Sequence, residues 1–257
     1  MRSSSALLGA SVFSLAFASA RSAHAAGPWV DRKITLPRHD WAFDFGLGVA
    51  HSPGWTGPGI NFEVAGGVTR EVQLGLRTGF RFDQRGRGEA PDVYGRPFDT
   101  ETYGTGVDTV ANPEFYVRAL LIEGSVVELG LEGRVMSPFS VGLGIMAGMP
   151  LVFHLGRDAR IDTGVYVPVL FYDPTQSLLS FPFHLWFQAT DRFWLGPMSG
   201  VRMRTSNGTG TSVPLGFGLG YSMTRNADFK AQFLFQDVSN GAAERYGFGA
   251  AFEIRIE

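Results

Sequence analysis

The sequence predicts an all-β protein, an antiparallel, up-and-down transmembrane β-barrel of about 12 strands. Three observations lead to this fold class. Apolar residues recur at every second position along many segments. The connections between these segments alternate between short and long. A short apolar leader precedes all of them.

The alternation is clearest in residues 72–83. One face of this segment carries mainly large apolar side chains, and the other carries glycine and charged residues. A helix would spread both sets around its circumference, because its period is 3.6 residues and not two. Similar segments begin at Trp41 and recur to the end of the chain. Most of them have the ~9–11 residues that a tilted strand needs to cross a bilayer.

The connections support an even number of strands. Short turns are centred on Arg70, Gly124, Arg157, Asp191 and Asn226, and longer connections contain Arg96, Thr175, Gly208 and Ala242. Membrane barrels have short periplasmic turns and longer external loops, and an even strand number leaves both chain ends on the short-turn side. The pattern therefore predicts that the short turns face the periplasm.

The leader occupies residues 1–26. Arg2 precedes an apolar run over residues 6–20, and Ala23-His24-Ala25 fits a cleavage pattern. The run is shorter than the ~20 residues of a membrane-spanning helix, so we expect a cleaved signal peptide and not the alternative, an uncleaved anchor. Residues 27–40 are then predicted to be a periplasmic N-terminal segment, and residues 41–257 the barrel.

The composition agrees with a sheet and excludes several classes of protein. The chain of 257 residues has 34 Gly and 22 Phe, which interleave well in a β-sheet, and no Cys, which excludes disulfides and thiolate metal sites. The formal charge of -2 argues against a nucleic-acid partner, which a basic face would bind.

The size of the apolar side chains favours a membrane barrel over a soluble one. The polar-parity face is rich in glycine and the apolar face in Phe, Leu, Val and Trp. About twelve strands of such large residues would overfill a closed interior, whereas a lipid-facing surface has no such volume limit. A soluble barrel remains the alternative.

With these features the chain resembles the small outer-membrane β-barrel proteins of Gram-negative envelopes, broadly the porin-like and transporter-like barrels. The resemblance covers residues 41–257 and implies contact with outer-membrane lipid and insertion by the barrel-assembly machinery. Such barrels often end on an aromatic residue, which that machinery reads. This chain departs from the pattern, because it ends Ile254-Arg255-Ile256-Glu257.

The polar-parity face is predicted to line the lumen. Across the turn at Glu123-Gly124, two registers are possible: Arg118 opposite Glu128, or Glu114 opposite Arg134, so that an ion pair forms in either case. The many glycines on this face remove bulk, which favours some water in the lumen. The candidate lumen-lining residues are Asp44, Glu63, Arg77, Arg81, Glu114, Arg118, Glu128, Glu132, Arg134, Arg202, Arg204 and Lys230.

The longest connection, residues 83–111, offers a candidate constriction. Long loops in compact proteins are often functional. Folded into the barrel mouth, this loop would set charge selectivity, and the alternative is a solvated surface loop. The candidate constriction residues are Arg85, Arg87, Arg96, Asp99 and Glu101.

We predict a passive channel or transporter for small polar solutes, without enzymatic activity, cofactor or metal. No G-x-S-x-G, H-E-x-x-H or P-loop pattern occurs. The alternatives are a structural or adhesin-like barrel with a closed lumen and, as a further class, an outer-membrane hydrolase using His51 or His184.

Overall fold

We describe the protein from a computed structural model, which covers residues 28–52, 55–81, 110–136, 143–171, 175–205, 210–239 and 244–257. These ranges contain a short 3-10 turn, Trp29–Asp31, and thirteen β-strands. The strands are β1 (Trp41–Ser52), β2 (Trp55–Gly67), β3 (Val72–Arg81), β4 (Val110–Glu123), β5 (Val127–Met136), β6 (Gly144–His154), β7 (Ala159–Leu170), β8 (Gln176–Gln188), β9 (Phe193–Arg204), β10 (Gly210–Ser212), β11 (Leu215–Thr224), β12 (Ala227–Phe235) and β13 (Tyr246–Ile256).

The strands form one antiparallel sheet that closes on itself. The first strand pairs with the last, with Trp41 opposite Ile256. The strands β10 and β11 both pair with β9 and form two parts of one wall strand, interrupted at Val213 and Pro214. Proline has no N–H to give to the ladder. The wall is therefore a closed barrel of 12 strands, and the predicted fold class is confirmed. In the ranges given above, no helix is long and apolar enough to cross a membrane.

The wall has an apolar outer face and a polar inner face. Large apolar side chains point outward, among them Trp41 at 51% exposed and Phe115 at 58% exposed. Outward rings also pack against one another across strands, as Phe45 does with Phe62 at a centroid distance of 5.2 Å. A soluble barrel would bury its apolar face. Here the apolar face is outside, which is the arrangement that lipid requires.

Some glycines of the inner face seat aromatic rings. Gly75 lies opposite Tyr116 and Gly220 lies opposite Trp194. A Cβ atom at Gly75 would lie 2.1 Å from the Tyr116 ring, and one at Gly220 would lie 2.1 Å from Trp194. Because the rings fill the space beside these glycines, the glycines do not leave room for water. The sequence-based expectation that inner-face glycines make room for water in the lumen therefore does not hold at these positions.

The register between β4 and β5 differs from both expected registers. Arg118 lies opposite Glu132 and Tyr116 lies opposite Arg134. The pairing shifts between Leu120 and Ile122, because one extra residue bulges out of β4. Both predicted registers were therefore wrong. Ion pairs nevertheless form across the two strands, between Arg118 and Glu132 and, diagonally at 3.5 Å, between Arg134 and Glu114.

Candidate functional site in the barrel interior

Most of the predicted lumen-lining residues lie on the inner face of the wall. Arg202 is half-buried and Arg204 is exposed at the end of β9, whereas Arg81 ends β3 with its side chain outside the described part. The candidate constriction residues Arg85, Arg87, Arg96, Asp99 and Glu101 lie outside the described residues. That these residues form a constriction and set the charge selectivity of a channel stays a prediction. The residues on the buried or half-buried inner face are Asp44, Glu63, Arg77, Glu114, Arg118, Glu128, Glu132, Arg134 and Lys230.

Tyr116 is the centre of a cluster of arginines on β3, β4 and β5. The guanidinium carbons of Arg77, Arg118 and Arg134 lie 5.1, 5.7 and 5.9 Å from the centroid of its ring. The Tyr116 hydroxyl donates a hydrogen bond of 2.6 Å to Glu63, which also accepts one of 2.5 Å from Arg77. A cationic group over an aromatic face is stabilised by the ring quadrupole. Tyr116 was not among the predicted site residues, because a tyrosine on a polar parity has no charge to mark it.

Glu132 joins two of these arginines. It lies 2.6 Å from Arg118 and 2.5 Å from Arg134, and Arg134 lies 3.5 Å from Glu114. The Glu132 side chain is fully buried. A buried charge is tolerated when it is paired and hydrogen-bonded, so this arrangement keeps charged groups on the inner face.

A second group of charges lies on β1, β12 and β13. Lys230 forms an ion pair with Glu253 and lies 3.5 Å from Asp44. Glu253 also accepts a hydrogen bond of 2.6 Å from Arg255. In both groups the cations lie beside carboxylates, which keeps the interior close to neutral.

Residues 28–40, which we call the N-terminal segment, lie at the end of the barrel that carries the short turns, with residues 29–36 inside the barrel and the exposed residues 37–39 leading out to β1. Arg32 donates hydrogen bonds to Asp228 on β12, and the next residue, Lys33, lies 3.1 Å from Glu128 on β5. β12 and β5 are six wall strands apart in a ring of twelve, so they face each other across the barrel. The segment therefore crosses the interior from wall to wall.

Trp29 holds the start of this segment against β8 and β9. Its ring stacks on Trp194 at 5.1 Å and meets Trp186 edge-on at 5.5 Å. The guanidinium of Arg160 lies 5.0 Å from the Trp29 ring. Trp29 is 7% exposed and the adjacent Val30 is 1% exposed, so this end is packed as tightly as a protein core.

The main chain of the segment is bound by wall side chains. The Ile34 N–H donates to Glu128 and the Leu36 N–H to Gln73, each at 2.9 Å. Arg118 donates to the Ile34 carbonyl at 3.3 Å, and Arg160 to the Arg32 carbonyl at 2.6 Å. The predicted periplasmic side of residues 27–40 stays a prediction; the sequence did not indicate that the segment lies inside the barrel.

A cavity of about 430 Å³ remains between the segment and the wall. Polar and charged wall residues such as Asn61, Glu63, Arg77 and Lys230 line it together with apolar ones such as Val152, and the segment closes one side. This volume falls in the range of sites that hold small molecules. The interior is thus part polar cavity and part packed segment.

The two histidines considered for a hydrolase lie apart. His51 contacts the Thr56 hydroxyl at 2.6 Å and stacks on Tyr246, while His184 packs edge-on against Trp186 inside the barrel. Among the residues described, no group of His, Asp and Glu is arranged to hold a metal ion. The absence of enzymatic activity stays a prediction.

Comparison with known proteins shows similarity at the level of the fold. No protein-family model matches the sequence, and no curated protein matches it. Among solved structures, the chain is similar to the NanC porin, with a TM-score of 0.61 and 9% identity over 83% of this chain and 100% of that one. It is also similar to the KdgM porin in complex with disordered oligogalacturonate, with a TM-score of 0.57 and 8% identity over 84% and 99% of the two chains. A third similar structure is an outer-membrane channel from Pseudomonas putida F1, with a TM-score of 0.58 and 8% identity over 90% and 100%. The chain therefore has the barrel fold of outer-membrane porins and channels, as the sequence-based resemblance predicted.

Proposed function

We propose that the protein is a passive outer-membrane channel for small polar solutes. The observation that carries the proposal is the cavity of about 430 Å³, lined in part by paired charges, inside a barrel whose outer face is apolar. A barrel already satisfies its backbone hydrogen bonds in lipid, so the fold itself does not require a charged interior. Polar groups around a cavity offer hydrogen bonds to a hydrated solute. The fold shared with porins and channels supports the same function.

The pairing of charges favours neutral or zwitterionic solutes. In this chain the inner cations Arg77, Arg118 and Lys230 each lie beside a carboxylate. Because paired charges largely cancel at a distance, we expect weak selectivity between anions and cations.

The second candidate function is a structural or adhesin-like barrel with a closed lumen. The N-terminal segment favours it, because Arg32 and Lys33 bind opposite walls and narrow the interior. The two functions differ in conduction, which can be measured directly.

Two variants test the channel, and each removes one charge of the ion pair between Arg77 and Glu63. Planar-bilayer recording of the purified barrel should show discrete conductance steps. Arg77→Ala leaves the Glu63 charge without its 2.5 Å partner, so the permeability ratio should move toward cations by about twofold or more, and Glu63→Gln should move it toward anions. Arg157→Ala, on the exposed turn between β6 and β7, is the matched control and should change nothing. Silent bilayers, together with liposomes that do not swell in small sugars or amino acids, would favour the closed barrel.

Export is part of the proposal. The predicted signal peptide, residues 1–26, lies outside the described residues, and cleavage near Ala25 or Ala26 would put Trp29 close to the mature amino terminus. N-terminal sequencing of the membrane-extracted protein checks this, and an intact Met1 would contradict it.

A further inference from the structure

We propose that residues 29–36 of the N-terminal segment form a movable plug, which closes the channel inside the barrel and leaves the interior when the channel opens. This inference rests on the proposed channel function. It is carried by three features: the segment spans the interior, it is attached to the wall through side chains, and the wall carboxylates that it contacts keep other partners without it.

The first feature is the position of the segment. Between Trp29 and Leu36 it touches β8 and β9 through tryptophan rings, β12 through Asp228, β5 through Glu128 and β3 through Gln73. These strands are distributed around the whole ring. A solute that passes through the barrel at this level therefore meets the segment, which leaves only the cavity of about 430 Å³ between itself and the wall.

The second feature is the kind of attachment. From Val30 to Leu36 the main-chain bonds to the wall that the structure gives are made with side chains, such as those of Gln188, Glu128 and Gln73. Backbone pairing with the wall begins only where the segment leaves the interior, with His39 N–H to Gly67 O and Gly67 N–H to Asp40 O, each at 2.9 Å. The segment is therefore not a strand of the sheet, and it can move without breaking the ladder.

The point of exit has the properties of a fixed pivot. His39 has a φ of 73°, and the Asp40 N–H bonds to the Pro37 carbonyl at 3.1 Å, so the chain turns sharply into β1. A Cβ atom at Gly67 would lie 1.9 Å from the Pro37 carbonyl oxygen, and this close approach requires glycine. The turn at residues 37–40 stays attached to β2 while the preceding residues are held by side chains alone.

The third feature is that the wall carboxylates have partners of their own. Glu128 is 3.2 Å from His154, Asp228 accepts from Ser222 at 2.8 Å, and Glu253 is paired with Lys230. Removing a partner from a buried charge is normally costly. Here each carboxylate that the segment leaves keeps a second contact, and Arg32 and Lys33 regain water, which lowers the cost of opening.

A reversible disulfide tests whether the segment must move. A Cβ atom at Gly130 would lie 3.5 Å from Ile34 Cγ2, so cysteines at these two positions would face each other and can be tested for a disulfide. The same Cβ atom would lie 3.1 Å from the Ala119 carbonyl oxygen, so the wall must shift slightly to accept it. The chain has no native cysteine, so the double variant I34C/G130C forms only this bond. Oxidised protein in a planar bilayer should open at least about tenfold less often than reduced protein, and a thiol reductant should restore opening. The single variants I34C and G130C are the matched controls and should not respond to oxidant.

A deletion of residues 29–36 gives the opposite test. It should produce a barrel that is open nearly all the time, and a shift in gel mobility on heating verifies that the barrel has formed. Conduction that is the same in oxidised and reduced I34C/G130C, or in the deletion variant and the wild type, would overturn the plug and leave the channel intact. Silence of a folded deletion variant would overturn the proposed channel, and the plug with it.

A single-cysteine measurement covers the case in which the double variant does not assemble. Ile34 is 7% exposed and packs with Leu120 and Val152, so the thiol of the I34C variant is reached only when the segment has left the wall. A bulky thiol reagent added to I34C in the bilayer should prevent re-entry and raise the conductance irreversibly. An unchanged conductance after complete labelling would overturn the plug.

Discussion

The N-terminal segment is held at two places of different chemistry. In the aromatic anchor, the apolar end of the segment is packed into a buried cluster, which consists of Trp29, Val30, Trp186, Trp194, Met198 and Leu234. In the polar anchor, charges and main-chain N–H groups meet wall side chains; it consists of Arg32, Lys33, Ile34 and Leu36 with Asp228, Glu128 and Gln73. The first anchor removes apolar area from water, and the second offers directed bonds.

The two anchors also differ in what the wall loses when the segment leaves. The rings of Trp186 and Trp194 lose the Trp29 ring that lies against both of them. Asp228 and Glu128 keep Ser222 and His154. We therefore expect the aromatic anchor to supply most of the free energy of docking, and the polar anchor to fix where the segment lies.

Trp29→Ala should have the largest effect. Truncating a buried tryptophan costs about 3–5 kcal/mol. Because Trp29 belongs to the segment, this cost reduces the free energy of docking of the segment and not the stability of the barrel wall. With I34C as reporter, the rate of modification by an impermeant thiol reagent should rise about a hundredfold or more, since each ~1.4 kcal/mol is a factor of ten. The effect should not depend on salt, because no charge is removed.

Trp41→Ala is the matched control for this variant. Trp41 begins β1, points outward and is 51% exposed, so its loss should leave the labelling rate of the I34C reporter within about twofold. Equal effects of the two tryptophans would mean that the aromatic anchor does not hold the segment.

Asp228→Asn should have an intermediate effect. The Asp228 side chain is 2% exposed and accepts hydrogen bonds from both Arg32 and Ser222. A hydrogen bond to a charged group contributes about 1.5–3 kcal/mol, so labelling of the I34C reporter should rise roughly tenfold or somewhat more. Arg32→Ala should add little on top of Asp228→Asn, because the two residues share one interaction.

The control for this pair is Asp158→Asn on the exposed turn between β6 and β7. It removes the same charge from an exposed side chain outside the polar anchor and should leave labelling unchanged. An effect of Asp228→Asn larger than that of Trp29→Ala would reverse the ranking of the two anchors.

The sequence predicted the strands of the barrel wall much better than the N-terminal segment that lies inside the barrel. Alternation over Val72–Arg81 is a local signal with a period of two, and the structure has the same strand with the same inner face. The strand count and the polar inner parity follow from such local signals. The register of β4 and β5 does not, because the bulge at Leu121 depends on how the whole barrel closes.

The N-terminal segment was missed for a different physical reason. Its partners are spread over strands that are far apart in sequence; Arg32 meets a residue 196 positions later and Ile34 one 94 positions later. No periodicity marks such contacts. Two signals were nevertheless present: apolar Trp29, Val30, Ile34 and Leu36 in a stretch expected in water, and basic Arg32 and Lys33 in a chain whose inner parity carries acids such as Asp228.

Lys33→Ala should have the smallest effect on labelling of the I34C reporter. It separates the contribution of β5 to the polar anchor from that of β12. The Lys33 side chain is 44% exposed and lies 3.2 Å from Glu123 and 3.1 Å from Glu128. Burial alone would lower the pKa of Lys33, but the hydrogen bonds to Glu128 and Glu123 outweigh it and raise the pKa above its ordinary value. The contribution of this charge is therefore complete below that ordinary value and is lost only as the pH rises through the raised pKa.

The contribution of Lys33 therefore does not change near neutral pH. Ionic strength is the variable that tests it. An exposed pair contributes about 0–1 kcal/mol, so labelling of the I34C reporter should rise at most about fivefold at low salt. The difference from wild type should vanish near 1 M salt, where the Debye length is about 3 Å. Lys33→Arg should behave like the wild type, because it keeps the charge between the same carboxylates. A rise as large as that of Asp228→Asn would show that β5 contributes as much to the polar anchor as β12 does, and that the contact between Lys33 and Glu128 is far less screened than the exposure of Lys33 implies.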